Sequence, residues 1–234
     1  MKSLLIFLLI AMSVVAEDAP RQWKVHSELQ VVTLPEKAAL ALLPELRDEG
    51  KIEAAWERIK TMISEGGATL AAAPIVVANS DEKGEAKQVE EVRYGLQFRE
   101  PQVIESLPKS GATTPPDKEK MLGIAYGPTE FATRDVGISL TAEAAVSGDG
   151  QTLDLTAKTE HVWLLGWEEF EFGQTLSGEK IHVKQPKFAR ATADSFVTVR
   201  SGERTLLSVH RIPGEAGRME LFLLRAWTVL RPGK

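Results

Sequence analysis

The sequence predicts an α+β fold, with an N-terminal unit of helices and strands followed by a mainly antiparallel β-sheet unit. Three observations lead there. Helical periodicity is confined to residues 35–64. Strand-like alternation, punctuated by turn residues, fills most of the chain after residue 120. Between the two lies a polar stretch rich in Pro101, Pro108, Pro115 and Pro116, a composition suited to a linker or long loop. The expected organisation is therefore 1–16, a signal peptide; 17–100, an α/β half; 101–120, the linker; and 121–234, a β-rich half.

The first strand is expected over Trp23–Leu34, where Val25, Leu29, Val31 and Val32 sit among polar residues. Pro35 opens a helix in which Ala39, Leu42, Leu43 and Leu46 fall on one face, and Pro44 is expected to kink or split it. Residues 48–64 give the clearest helix. Ile52, Trp56, Ile59 and Ile63 form one apolar stripe, Asp48 is the expected N-cap and Gly66-Gly67 the stop. The stripe predicts that Trp56 is buried against a strand around Ile75–Val77. Thr69–Ala78 is a continuous apolar run, and Asn79–Gly84 a polar turn. Glu85–Phe98 then resumes alternation.

In the second half, Val136–Ala142 and Thr152–Ala157 alternate on either side of Ser147-Gly148-Asp149-Gly150. Asp-Gly tolerates the positive φ of a tight hairpin turn, so these two runs are read as a hairpin. Phe196–Val199, a turn at Ser201-Gly202-Glu203, and Thr205–Val209 follow, and Glu220–Leu230 closes the chain as a strand. Val162–Phe172 reads as the least regular part of this half.

The opening residues have the features of an export signal. Lys2 precedes a nearly unbroken apolar run from Leu4 to Val15, and Val14-Val15-Ala16 presents small residues ahead of Glu17-Asp18. The run, about 12 residues, is shorter than the roughly 20 a membrane-spanning helix needs. Cleavage is expected to leave Glu17 at the new N-terminus. No later stretch is apolar enough for a transmembrane helix: Arg225 interrupts Leu221–Leu224, and Glu168-Glu169 follow Trp163-Leu164-Leu165. Any membrane contact is expected to be by other means.

The chain has no cysteine, which excludes disulfides, thiolate metal sites and a cysteine nucleophile. Its 28 basic and 33 acidic residues, net −5, are interspersed without a basic stripe, so nucleic acid is not an expected partner. The four histidines, His26, His161, His182 and His210, lack the short spacing of a metal site, although His161 and His182 are candidates for neighbours across strands. No nucleophile elbow or Ser-x-x-Lys set occurs. Glu168, Glu169 and Glu171 lie beside aromatic residues, a combination that can mark sugar cleavage. The alternation Glu169-Phe170-Glu171-Phe172 instead puts carboxylates and rings on opposite strand faces. Asp149-Gly150 lacks the spaced oxygen ligands of a calcium loop. No catalytic residue, cofactor site or metal site is therefore predicted. The candidate interaction surface is Trp163, Trp167, Phe170 and Phe172, suited to a partner chain, a ligand or a membrane interface.

The order of elements resembles the secretin domain of bacterial type II and III secretion systems. The helix at Lys51–Ser64 followed by Ala71–Asn79 is similar to that family's helix-then-strand unit, with Ala86 and Val89 on the next strand. Thr133–Leu140, with its internal Val136-Gly137, resembles a secretin strand. Val146, Gly148-Asp149-Gly150 and Leu153–Leu155 resemble the hairpin after it. Gln185–Phe188 with Ser195–Gly202, and Glu220–Leu224, are similar to the remaining strands. The chain departs from the family where Leu206-Leu207-Ser208 stands for a Gly-Gly-Leu and Arg225-Ala226 for a closing Thr-Pro, and no room is expected ahead of this module for the family's ring-building domains.

The resemblance implies an exported, non-enzymatic protein of the periplasm or outer membrane of a Gram-negative-type bacterium. Its role would be structural or in assembly for protein secretion, with envelope proteins or its own copies as partners. The alternative is a secreted or periplasmic binding module that uses the 162–172 aromatic surface. With the departures, and with Lys184, Pro186, Lys187, Arg211 and Pro213 at expected sheet edges, the resemblance predicts a monomer or small oligomer rather than a large ring.

Overall fold

The computed structural model describes residues 23–99, 127–174 and 180–230. The expected signal at 1–16 and the 101–120 stretch lie outside the described residues. In chain order the elements are β1 (Trp23–Pro35), α1 (Glu36–Leu46), α2 (Ile52–Ser64), β2 (Thr69–Ala72), β3 (Ile75–Asn79), β4 (Lys83–Phe98), β5 (Pro128–Val146), β6 (Thr152–Gln174), β7 (Lys180–Arg200), β8 (Arg204–Arg211) and β9 (Arg218–Leu230). The fold is mostly antiparallel sheet with two short helices.

The strands form two sheets. The first has the order β2-β1-β9-β8, with β3 also on β1. The second has the order β4-β5-β6-β7. Each sheet takes strands from both sides of the 101–120 stretch: β1 pairs with β9 along its whole length, and β4 pairs with β5.

The first sheet is the middle of three layers. Leu221 and Leu223 of β9, with Val32 and Leu34 of β1, face Leu42, Ile52, Trp56 and Ile59 of the helices. Phe222, Leu224 and Ala226 point the other way, with Val25, Leu29 and Val31, into a core completed by Ile138, Leu140, Leu153 and Leu155 of the second sheet. A strand covered on both faces cannot alternate apolar with polar, which explains the unbroken Leu221–Leu224. Each such fully buried side chain stabilises the fold by about 1.5–3 kcal/mol relative to exposure.

Several local expectations are corrected. Trp56 is buried, but against β1 and β9 rather than Ile75–Val77, because the helices cover the outer face of the first sheet while Val76 faces the inner core. Pro44 does not split α1. It lies on the exposed side of the last turn, so the backbone bond it cannot make falls where the helix is ending. Asp48 does not cap α2; Lys51 holds the N-cap position. The Asp48 carboxylate instead accepts the Gly50 N–H at 3.0 Å and meets Lys51 Nζ at 3.0 Å, shaping the turn ahead of the helix. At the other end, Gly66 takes φ 77° and the Gly67 N–H returns to the Met62 carbonyl at 2.8 Å, a glycine C-terminal cap. Val162–Phe172 stays within one strand, the second half of a 23-residue β6, and its irregularity is confined to two register shifts, between Leu164 and Gly166 and between Glu171 and Gly173.

Candidate functional site

The second sheet forks. β5 and β6 pair only from Gly137↔Val162 to Val146↔Leu153. Beyond that point β5 continues with β4 alone, to Pro128↔Phe98, and β6 continues with β7 alone, to Gln174↔Lys180. Two long antiparallel ribbons therefore leave the three-layered body. At about 3.3 Å per residue, the β6–β7 arm runs roughly 40 Å past the fork, and its strands far exceed the usual 3–10 residues.

The arms touch each other. The Gln185 side chain donates to the Gly95 carbonyl at 2.8 Å. Phe188 packs against Tyr94 with centroids 5.9 Å apart, and Arg134 lies 4.9 Å over the Phe188 ring. Phe98 and Phe172 meet at 6.1 Å.

The four predicted surface residues all lie on the β6 side of this structure, but they do not converge. Trp163 stands opposite Ala189 and Phe170 opposite Val183, on one face; Trp167 stands opposite Pro186, on the other. Phe172 sits at a bulge between Glu171 and Gly173. Trp167 and Phe170 are each about half exposed (48% and 51%). Two bulges, after Leu164 and after Glu171, set which residues share a face, and strand periodicity gives no sign of them.

The acidic run has a structural use. Glu169 binds Lys184 at 2.9 Å, Glu168 binds Lys187 at 2.9 Å and Glu171 binds Lys180 at 2.7 Å, each across the β6–β7 arm. The hydrogen bond and charge of Lys184 hold the Glu169 carboxyl below its ordinary range. Glu168 and Glu169 lie on opposite faces, so they do not form a paired-carboxylate site.

Outside the arms, two side-chain clusters tie layers together. Buried Arg204 donates to Gln30 at 3.1 Å and to Glu53 at 2.6 Å, and its guanidinium lies 4.4 Å over the Trp56 ring. It also forms part of the floor of a concavity of about 600 Å³ beside the β7–β8 corner. A second concavity, about 400 Å³, lies at the fork between Lys87, Asp135 and Glu160. The other cluster centres on Glu220, which is 1% exposed. His161 Nδ1 lies 2.7 Å from its Oε2, Thr33 Oγ1 lies 3.5 Å from Oε1, and His210 is its cross-strand partner on β8. His161 and His182 are not neighbours: they face Ala191 and Glu171, far apart along the arm. Sequence reasoning missed Glu220. The available signal was its phase: it falls in step with Phe222 and Leu224, on the inward face.

Among the described residues no group of three or more His, Asp or Glu is arranged to hold a metal ion, and no helix is long and apolar enough to cross a membrane. No protein-family model matches the chain, and no curated protein matches it. Among solved structures, it is similar to the type II secretion system secretin of Escherichia coli K12, at 13% identity and a TM-score of 0.36, over 89% of this chain and 48% of that one. Aeromonas hydrophila ExeD matches at 11% identity and 0.40, over 91% and 49%. The InvG secretin domain of the Salmonella SPI-1 injectisome matches at 10% and 0.35, over 91% and 63%. The chain thus spans about half the length of the first two and under two-thirds of the third.

Proposed function

We propose that this chain is an exported, non-enzymatic envelope protein that acts in assembling a protein-secretion apparatus, by adding its four-stranded sheet edge to edge to other copies or to envelope partners. The supporting observation is the second sheet itself. It ends in two long strands, β4 and β7, neither of which has a further strand beside it among the described residues. Unpaired strand edges expose rows of backbone donors and acceptors that template pairing with another chain. Pairing β4 of one copy with β7 of the next is a heterologous contact, which can repeat. The order of secretin-like motifs in the sequence supports the same reading.

Pairing is restrained as well as offered. Lys184, Pro186 and Lys187 all lie on the edge strand β7, and Arg211 lies on β8, the edge of the first sheet. Charges and a proline with no N–H to donate limit uncontrolled edge addition. This favours a small oligomer over a large ring.

Light scattering of the mature protein in mild detergent tests the reading. The expected result is a concentration-dependent multiple of the chain mass that Val89→Lys, a charge placed on the half-exposed β4 edge, returns to monomer. A monomer at every concentration would overturn it and favour the binding-module alternative. A heat-resistant species of several hundred kilodaltons, the order expected of a multi-chain barrel, would replace the small oligomer with a channel.

A further inference from the structure

The Glu220 cluster has a position and a composition that the assembly reading does not use. It lies at the fork. His161 is one residue from Val162, the last β6 residue paired with β5. Hydrogen bonds between the two sheets otherwise lie, among the described residues, at the opposite end of the body, such as Thr228 Oγ1 to the Gly150 carbonyl at 2.8 Å. At the fork the link is His161–Glu220, at 2.7 Å.

We propose that His161, Glu220 and His210 form an acid-sensitive latch that holds the base of the arms against the body and loosens when His210 takes up a proton. A buried carboxylate is costly without a compensating charge or hydrogen bonds. Glu220 has a hydrogen-bond partner from the second sheet in His161, and lies opposite the His210 imidazole within its own sheet. His210 faces the same space between the sheets, and burial there disfavours its charged form, so a proton is taken up more readily when the fork opens to water.

The groups packed around the cluster add no further charge to it. From β1 the carboxylate meets Thr33, which does not titrate in this range. From β8 it meets His210, whose Nε2 is 2.8 Å from Ser208 Oγ. Beside His161, β7 contributes Ala191 and β5 contributes Ile138. The nearest charged pair on β6 and β7, Glu160 with Arg190, lies on the far face of the second sheet, because both residues are one position out of phase with His161 and Ala191. Burial holds the His210 imidazole below its ordinary range; Glu220 opposes this and His161 reinforces it. A histidine depressed in this way favours the closed state above about pH 6.5, and that preference fades as pH falls and the open state takes up the proton.

Hydrogen exchange at the fork amides of residues 159–163 and 208–210, read from pH 7.5 to 5 and corrected for intrinsic rates, tests the latch. Protection should fall below about pH 6.5 by up to about tenfold per pH unit, the limit for uptake of one proton. His210→Gln, which keeps a polar partner for Ser208, should remove most of that slope while leaving protection at neutral pH close to the parent's. Glu220→Gln should loosen the fork already at pH 7.5. An unchanged slope in His210→Gln, or no slope in the parent, would overturn the latch. If Glu220→Gln does not fold, the His210→Gln comparison still decides.

Discussion

Gly137 sits so close to Gln88 on the neighbouring strand that a Cβ built on it would lie 2.3 Å from the Gln88 carbonyl oxygen. Its φ of 129° lies where side-chain-bearing residues rarely go. Gly137 is also the last β5 residue paired with β6, so the close approach marks the point where the second sheet opens into two arms.

Gly137→Ala is accordingly expected to destabilise the protein by more than the 1–3 kcal/mol of an unfavourable backbone conformation alone, because the obstructing atom is backbone and cannot rotate away. Urea unfolding measures it. A loss under about 0.5 kcal/mol, the size of a neutral surface change, would show that the fork adapts without cost.

Trp56 tests the helix layer. At 8% exposure it fills the space between α2 and the outer face of β1 and β9. Trp56→Ala should cost roughly 3–5 kcal/mol, the range for emptying a large aromatic site. A loss of about 0.5 kcal/mol or less would mean that the stripe is not core.

How far the sequence could be read is clear at this layer and at the arms. The Ile52–Ile63 stripe specified α2 because helical period and burial agree there, and Asp149-Gly150 specified its turn because a tight hairpin needs positive φ; Gly150 has φ 75°. The side of the sheet that α2 would cover could not be read. That choice depends on β1 lying beside β9, some 190 positions away in sequence, with both faces of each apolar. The length of the arm was not legible because a two-stranded ribbon exposed on both faces carries no apolar phase. Charged and aromatic residues at Trp163–Phe172 then look irregular; two bulges do interrupt the ladder there, and cross-strand Glu–Lys pairs hold the two strands together around them. Sites built across layers, such as Glu220 with His161, leave only a faint trace: one acid in phase with a buried face.

Arg204 and Trp56 should be energetically coupled. The guanidinium lies over the indole and also binds Gln30 and Glu53. Its removal leaves Gln30 buried without that partner, a cost of about 1–3 kcal/mol, while Glu53 is exposed enough for water to take over. A double-mutant cycle of Arg204→Met and Trp56→Leu should return a coupling of about 0.5–2 kcal/mol, as expected of a desolvated cation–π contact. Additive losses would show that the stacking is incidental.

Contact between the arms should be local in its energetics. Phe188 joins them through Tyr94 and Arg134, yet it lies beyond the fork and outside both buried cores. Phe188→Ala removes only a partly buried ring, so global unfolding should shift by less than the 3–5 kcal/mol of a core aromatic truncation. Arm geometry should change much more. Because the chain has no cysteine, Glu91→Cys and His182→Cys, both at exposed positions past the fork, place spin labels on the β4 and β7 arms alone. The expected distance distribution is narrow with Phe188 present and broad in Phe188→Ala, with far-ultraviolet circular dichroism unchanged. An equally narrow distribution in the variant would mean that the Gln185–Gly95 bond and the Phe98–Phe172 contact suffice to hold the arms. A broad distribution in both would mean that the arms are not docked in solution, and strand addition would then begin from separate ribbons.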